Sequence, residues 1–375
     1  MQTFYKLRFI ITSFFCFYIF YVKGQDSTRA NDFSRIPNYP SENKKRYLGF
    51  RIYHENDFII PAFISRNFFK NTDDNYTGGL KIEIITNIPD AKNSFVLNPL
   101  RGNINSVSFV FGVTAFTPQD LANTAIVFND RPYASFRFWG LGVSSVSPDT
   151  SWNLSYELQF GAMGKPLAGD AQSYLHRKNF LGSKRPDPKG WDYQIGYDGA
   201  FAFNLHGKLE RKIWSSKLQG RKQNFRWVQV STRGELNVGQ YMTNISVEPR
   251  ISLLNWNHNP EESEDEPGLP SIARPLVSGK TKNTAGFYLF FGLRPRFVLH
   301  NTTLTGRLLS KSSVHTIAPS ELKRALFEYD FGFAFRWYFL RLGYNLFGRS
   351  KEFSFQNKNF HNWGGFYVGG IFRFH

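Results

Sequence analysis

The chain has 375 residues, a formal net charge of +17, one cysteine and an aromatic share of 18%, with 40 Phe. One cysteine excludes a disulfide scaffold and a thiolate metal centre, and no segment after the N-terminal run approaches the ~20 apolar residues of a membrane-crossing helix. The mean hydropathy of −0.37 suggests a soluble protein, but strands that hide apolar residues at alternate positions give a barrel the same average.

In chain order, Lys6 and Arg8 precede an apolar run over 9–22, followed by Lys23-Gly24-Gln25. This is the pattern of a secretory signal peptide, residues 1–24, cleaved after Gly24; an uncleaved anchor is the alternative. Cys16 lies inside it. A positive chain suits nucleic acid or phosphate-bearing lipid, and export argues for the lipid. Residues 25–43 are polar, with Pro37 and Pro40, and are expected to form a flexible lead-in to a barrel over 44–375.

Alternation then sets in. Trp152, Leu154, Tyr156, Leu158 and Phe160 alternate with Asn153, Ser155, Glu157 and Gln159. A period of two with one apolar face is the strand signal. It predicts strands over 46–55, 77–86, 106–115, 132–146, 151–163, 191–206, 224–237, 240–255, 286–299, 323–336, 338–348 and 363–375. The last carries Phe366, Val368, Gly370, Phe372 and Phe374 on one face. An even strand number lets the first and last strands pair and close an antiparallel outer-membrane barrel. The alternative all-β fold is a soluble sandwich that binds glycans. Pro295 cannot donate to a ladder, so a bulge is expected there. Residues 167–181 read as a short helix, placing Gln172 and His176 on one face.

With the mature N-terminus in the periplasm, loops after odd strands face outward. The polar clusters fall on that rim: Glu55-Asn56-Asp57-Phe58, Thr72 to Gly79, Asp130-Arg131-Pro132-Tyr133-Ala134, Gln172 with His176, and Gly190-Trp191-Asp192-Tyr193-Gln194. The acidic run over 261–266 falls at the opposite end. Carboxylates, amides, hydroxyls and a His are parts for hydrolysis. Oxygen donors suit a hard cation such as Ca²⁺, and His can take a proton from water near neutral pH. A rim of solvated loops is the simpler alternative.

These five motifs, in order, together with Lys351-Glu352-Phe353 before the last strand, resemble the LpxR-type lipid A 3′-O-deacylase family. The resemblance covers nearly all of the mature chain. It implies a twelve-stranded, monomeric outer-membrane barrel whose Ca²⁺-dependent site lies between the barrel wall and an extracellular helix. There a His-activated water would hydrolyse the ester holding the 3′ acyloxyacyl group of lipid A, within lipopolysaccharide. Carried across, the resemblance implies His176 as general base, with Asp57 or a neighbouring oxygen ligand orienting it, and Asn56, Asp57, Thr77 and Gln172 in the catalytic set. Asp57 and Thr77 are the implied metal ligands. Arg131 and Tyr133 are candidates for substrate binding, although a structural salt bridge in the neighbourhood of Asp130 suits Arg131 equally. The chain departs from the family pattern at Gly78, where Asn is expected, and in the absence of an acid between Arg177 and Gly182. A barrel that keeps the scaffold but serves as a channel or surface-binding protein is the alternative function.

Overall fold

The computed structural model describes residues 46–57, 75–87, 94–101, 104–149, 151–164, 167–178, 186–217, 225–256, 285–307 and 313–374. The expected leader, the lead-in and the acidic run over 261–266 lie outside them. Twelve strands form: β1 (Arg46–Asn56), β2 (Asn75–Thr86), β3 (Ile104–Thr117), β4 (Ala134–Val146), β5 (Trp152–Met163), β6 (Phe201–Ser215), β7 (Phe225–Gly239), β8 (Met242–Trp256), β9 (Ala285–Asn301), β10 (Ala325–Trp337), β11 (Leu340–Ser350) and β12 (Phe360–Phe374). Each pairs antiparallel with its chain neighbours, and β1 pairs with β12 to close the ring. Closure removes the exposed sheet edges and rules out the sandwich.

Every predicted strand is present, but the sixth is displaced. It runs over 201–215 rather than 191–206. Residues 191–193 form a 3₁₀ turn instead, and Gly196 and Gly199 take left-handed φ of 69° and 73°. Glycine tolerates that conformation, and a strand cannot continue through it. As a result His206, which the displaced strand would put near the far rim, lies within the barrel wall and is fully buried. Pro295 forms no bulge. The β8–β9 pairs Ser246↔Arg296 and Arg250↔Gly292 belong to one register, and the ladder simply lapses between them. Pro249 and Pro295 both stand in that lapse, one from each strand. The two missing donors are thus gathered into a single gap.

The alternation sorts side chains as the sequence suggests. On β5, Leu158 and Phe160 are exposed while Asn153, Ser155, Glu157 and Gln159 are buried. Leu80, Ile82 and Ile84 on β2, Trp139 and Leu141 on β4, and Phe331 and Phe333 on β10 extend the same exposed apolar belt. A belt this continuous is unstable in water and matches a hydrocarbon layer. The phenyl rings of Phe50 and Phe372 stack 6.1 Å apart across the β1–β12 seam.

The inward face is charged and closely filled. Glu248 is met by Arg233 at 3.4 Å, Arg250 at 2.6 Å and Arg294. Arg250 also reaches Asp330 at 2.7 Å, and Arg296 and Arg349 reach Glu328 at 3.0 Å and 2.6 Å. All of these side chains are buried. Opposite charges placed this close compensate one another's lost hydration, and removing one partner of such a pair costs about 3–5 kcal/mol. This cross-braced interior argues against an aqueous channel.

Candidate active site

By strand direction, the connections that follow β1, β3, β5, β7, β9 and β11 belong to one end of the barrel. Arg46 and Phe374 pair at the other end. The described residues of all five polar motifs therefore belong to the end away from the strand termini.

Strand register makes the first part of the site. Asn56 pairs with Gly78, Gly78 with Ala115, and Ala115 with Ser135; on the other side Asn56 pairs with Gly364. These residues share the outward parity of Ile52, Leu80, Trp139 and Phe366, all exposed on the lipid face. A row of Gly, Asn, Gly, Ala and Ser thus interrupts a surface otherwise built from Leu, Ile, Phe and Trp. Small or polar side chains at one level form a band in the outer wall that lacks the bulk of the apolar belt, a shallow slot by residue size.

A β-bulge then places the hydroxyls. The β2–β3 register shifts between Tyr76 and Gly78, leaving Thr77 as the extra residue. A bulge re-aims the side chain it carries, and Thr77 Oγ1 meets Thr117 Oγ1 at 2.6 Å. Asp57 follows Asn56, one position beyond the last β1–β2 pair, and is fully buried. At Gly78 a Cβ would lie 2.9 Å from the Glu55 carbonyl oxygen and 3.2 Å from Asn56 Nδ2. Glycine at this position avoids both contacts, with the Asn56 amide beside it.

The second part is a helix, α1 (Leu167–Lys178), docked against the outside of the wall. Its Ala168 joins Leu121, Tyr133 and Trp191 in one apolar cluster, on which Val113 and Ala115 of β3 also pack. Gly169 sits flat on the Trp191 indole, where a Cβ would lie 2.8 Å from the ring. The Trp191 and Tyr133 rings are 5.0 Å apart. The segment after the helix is pinned by Lys189 N–H to the Leu121 carbonyl at 3.0 Å, Ile195 N–H to the Tyr133 carbonyl at 2.8 Å, and Ser135 Oγ to Gln194 Oε1 at 3.2 Å. The Gly-Trp-x-x-Gln motif is thus the clamp that holds α1 over the slot.

Gln172 and His176 are both buried on α1. Gln172 Oε1 accepts from Trp191 Nε1 at 3.0 Å. His176 Nδ1 lies 2.6 Å from the Pro186 carbonyl oxygen. A carbonyl can only accept, so Nδ1 carries the proton, and in the neutral ring Nε2 is the basic nitrogen. The oxygen facing Nδ1 is a backbone carbonyl.

Strand pairing therefore unites Asn56, Asp57 and Thr77; the helix unites Gln172 and His176; and β3 carries both groups, through Thr117 and through Val113 and Ala115. Tyr133 stands with the helix clamp. Arg131 stands apart. Its guanidinium lies inside the mouth, fully buried, 4.3 Å over the Phe116 ring. It donates to Glu352, and at 2.7 Å to Thr303 Oγ1. Its geometry is that of the structural salt bridge, with Glu352 as partner. The Asp130 carboxylate accepts instead from the backbone N–H of Gln119 and Arg131 at 2.7 Å each. Burial would raise the Glu352 carboxyl, but Arg131 and Arg349 beside it outweigh burial and hold it below the usual carboxylate range. Tyr241 closes the mouth next to this pair, stacked 4.3 Å from Phe136, and burial pushes its phenol up to about 12.

Thr117, Trp191 and Glu352 do not stand out in the sequence as site residues. Thr117 carries no signal there, because a bulge on a neighbouring strand creates its role. Trp191 and Glu352 sit inside motifs, but Trp191 reads as the start of the sixth strand and Glu352 as a charged loop residue. Among the described residues, no three His, Cys, Asp or Glu side chains come together as a metal-binding group. The donors present are one buried carboxylate with amide, hydroxyl and backbone carbonyl oxygens. That set fits a hard, oxygen-seeking cation completed by water and does not fit a soft one.

Comparison with known proteins agrees with this architecture. The chain is similar over 86% of its length to the whole of LpxR from Salmonella typhimurium, with 18% identity and a TM-score of 0.66. It is less similar to the β domain of the Bordetella autotransporter BrkA (10% identity, TM-score 0.37, 88% of this chain and 99% of that one). The translocator domain of NalP from Neisseria meningitidis gives 7% identity and a TM-score of 0.38, covering 88% of each chain. No curated protein matches. The profile of the family described as outer membrane protein LpxR matches residues 14–372, and the chain belongs to that family of the outer membrane.

Proposed function

We propose that this protein is an outer-membrane esterase that hydrolyses the ester holding the 3′ acyloxyacyl group of lipid A, with His176 activating the water. The observation that supports it is the polar slot in the lipid-facing wall, roofed by a helix that carries a buried Gln and a buried His. A soluble substrate needs no opening through an apolar belt. An ester buried in a membrane lipid does, because it arrives sideways from the leaflet. The slot lies at the end away from the Arg46↔Phe374 pair; with those strand termini on the periplasmic side that end is extracellular, and lipid A belongs to that leaflet.

In this reading His176 Nε2 takes a proton from water as the water oxygen attacks the ester carbonyl carbon. The same proton then passes to the departing sugar oxygen as the tetrahedral intermediate collapses. The Pro186 carbonyl keeps the ring in the required tautomer. Asp57 and Thr77 would hold Ca²⁺, with Asn56 beside them. When bound, the ion would polarise the ester carbonyl and stabilise negative charge on its oxygen. Tyr133 supports the helix over the slot.

Mass spectrometry of lipid A from cells expressing the chain tests the reading. Loss of mass equal to the 3′ acyloxyacyl group is expected. Unchanged lipid A, with folded barrel present in the outer membrane, would overturn it and favour a surface-binding barrel.

A further inference from the structure

The clamp residue Trp191 does more than pack. An indole N–H can only donate, so the Gln172 atom 3.0 Å from it must be the amide oxygen. This fixes the direction of the carboxamide, which is otherwise ambiguous, and turns its NH₂ to the opposite side. That nitrogen is buried and has no hydrogen-bond partner among the described residues. Leaving a buried amide donor without an acceptor costs free energy, which an acceptor arriving at this face of the helix would recover. His176 stands four residues further along the same helix, so this donor and the base share a face.

We infer that Gln172 is the donor to the ester carbonyl oxygen as it becomes an oxyanion, and that Trp191 is the positioning residue that aims it. The inference rests on the esterase reading above. As water attacks, its proton passes to His176 Nε2 and the carbonyl electron pair moves onto oxygen, where the Gln172 NH₂ donates. Collapse restores the carbonyl, and the sugar oxygen leaves with the proton from His176. Gly169 belongs to the same device. With no side chain, it lets the helix lie on the indole face and keeps the Nε1–H level with Gln172.

The test separates packing from aiming. Trp191→Phe keeps an aromatic ring under Gly169 but has no N–H. It is expected to lower kcat about tenfold or more at nearly constant KM. Gln172→Ala should lower kcat about 10²-fold, the usual effect of losing one oxyanion donor. Gln172→Glu still accepts from the indole but has nothing to donate, and should lose as much as Gln172→Ala. Adding Trp191→Phe to Gln172→Ala should bring no further loss, because the two act through one atom. An activity-independent readout accompanies these: the Trp191 indole N–H resonance in ¹⁵N-labelled protein, assigned by its absence in Trp191→Phe. It should move upfield in Gln172→Ala and stay near its wild-type position in Gln172→Glu. An unmoved indole signal in Gln172→Ala overturns the lock itself. Full kcat in folded Trp191→Phe, full kcat in Gln172→Glu, or losses that multiply in the double variant overturn the aiming role. Wild type inactive on lipid A while the indole shift occurs overturns the esterase reading and the oxyanion role together, and leaves the bond standing.

Discussion

Arg131 and Glu352 form a buried ion pair across the barrel mouth, joining the connection before β4 to the one before β12. Arg349 reaches Glu352 from the strand side at 3.5 Å, which links this pair to the charged interior through Glu328. Arg131→Ala would leave Glu352 with its nearest counter-charge gone, and should cost about 3–5 kcal/mol. The Glu352 carboxyl sits below its ordinary range in the folded state. Its contribution is therefore complete above the unfolded value and is lost as pH falls through the folded value. Thermal unfolding followed by heat-modifiable gel mobility should show Glu352→Gln less stable than wild type by a constant amount above roughly pH 5. The gap should narrow at lower pH. A gap that widens on acidification would show that the pair is not what stabilises the mouth.

On the lipid face, Leu158→Arg places a charge in the apolar belt of β5 and should cost about 2–4 kcal/mol near the bilayer midplane. Its neighbour Ser155 faces a filled interior and meets Ser144 at 2.6 Å. Ser155→Arg should therefore also destabilise, by about 1–3 kcal/mol through overpacking. Ser155→Ala should cost less than either. Folding titrations into bilayers of fixed thickness measure all three. If Ser155→Arg proves neutral, the interior has room that the structure does not show.

Topology gives a third check. The 118–133 connection belongs to the end with the slot, and the tight turn at Asp149 to the opposite end. An epitope tag inserted at Ala125, an exposed loop residue, should bind antibody on intact cells. One inserted at Asp149 should bind only after the outer membrane is opened. The reverse labelling would put the slot in the periplasmic leaflet and remove the substrate from its reach.

The barrel is legible in the sequence because a period of two survives any loop length. Both faces of β5 can be read from Trp152 to Phe160 without neighbours. What the sequence hides depends on pairing partners. The stretch from Trp191 to Ala200 alternates well enough to pass for a strand, and only Gly196 and Gly199 in left-handed turns, with Ile195 bridged to Ala134, make it a clamp. Pro295 looks like a defect until Pro249 is seen in the same gap. The catalytic candidates emerge as separate motifs. Their grouping into a strand set and a helix set comes from the register Asn56–Gly78–Ala115, which no spacing in the chain encodes.

The catalytic prediction turns on this grouping. His176→Ala and Asp57→Ala should each abolish ester hydrolysis while the barrel stays folded. General-base assistance contributes roughly 10²–10⁴-fold in rate, so loss of His176 should bring activity near the assay floor. His176→Gln keeps a polar side chain near the Pro186 carbonyl but offers no basic nitrogen, and should be as inactive as the alanine variant. Asp57 acts by another route. It is the buried carboxylate that follows Asn56 in the strand set, so its loss should be linked to cation dependence. Chelator should silence the wild type, and added Ca²⁺ should restore it but not Asp57→Ala. Thr77→Val removes the hydroxyl held 2.6 Å from Thr117 while keeping the shape at the bulge. It should raise the Ca²⁺ concentration needed for half-maximal activity more than it lowers the rate at saturation. Each variant must first show the heat-modifiable mobility of a closed barrel, because a rim substitution could also loosen α1 from the wall. Full activity in a folded His176→Ala variant would discard the base assignment. Activity indifferent to chelator would leave His176 its role and remove the metal from Asp57 and Thr77.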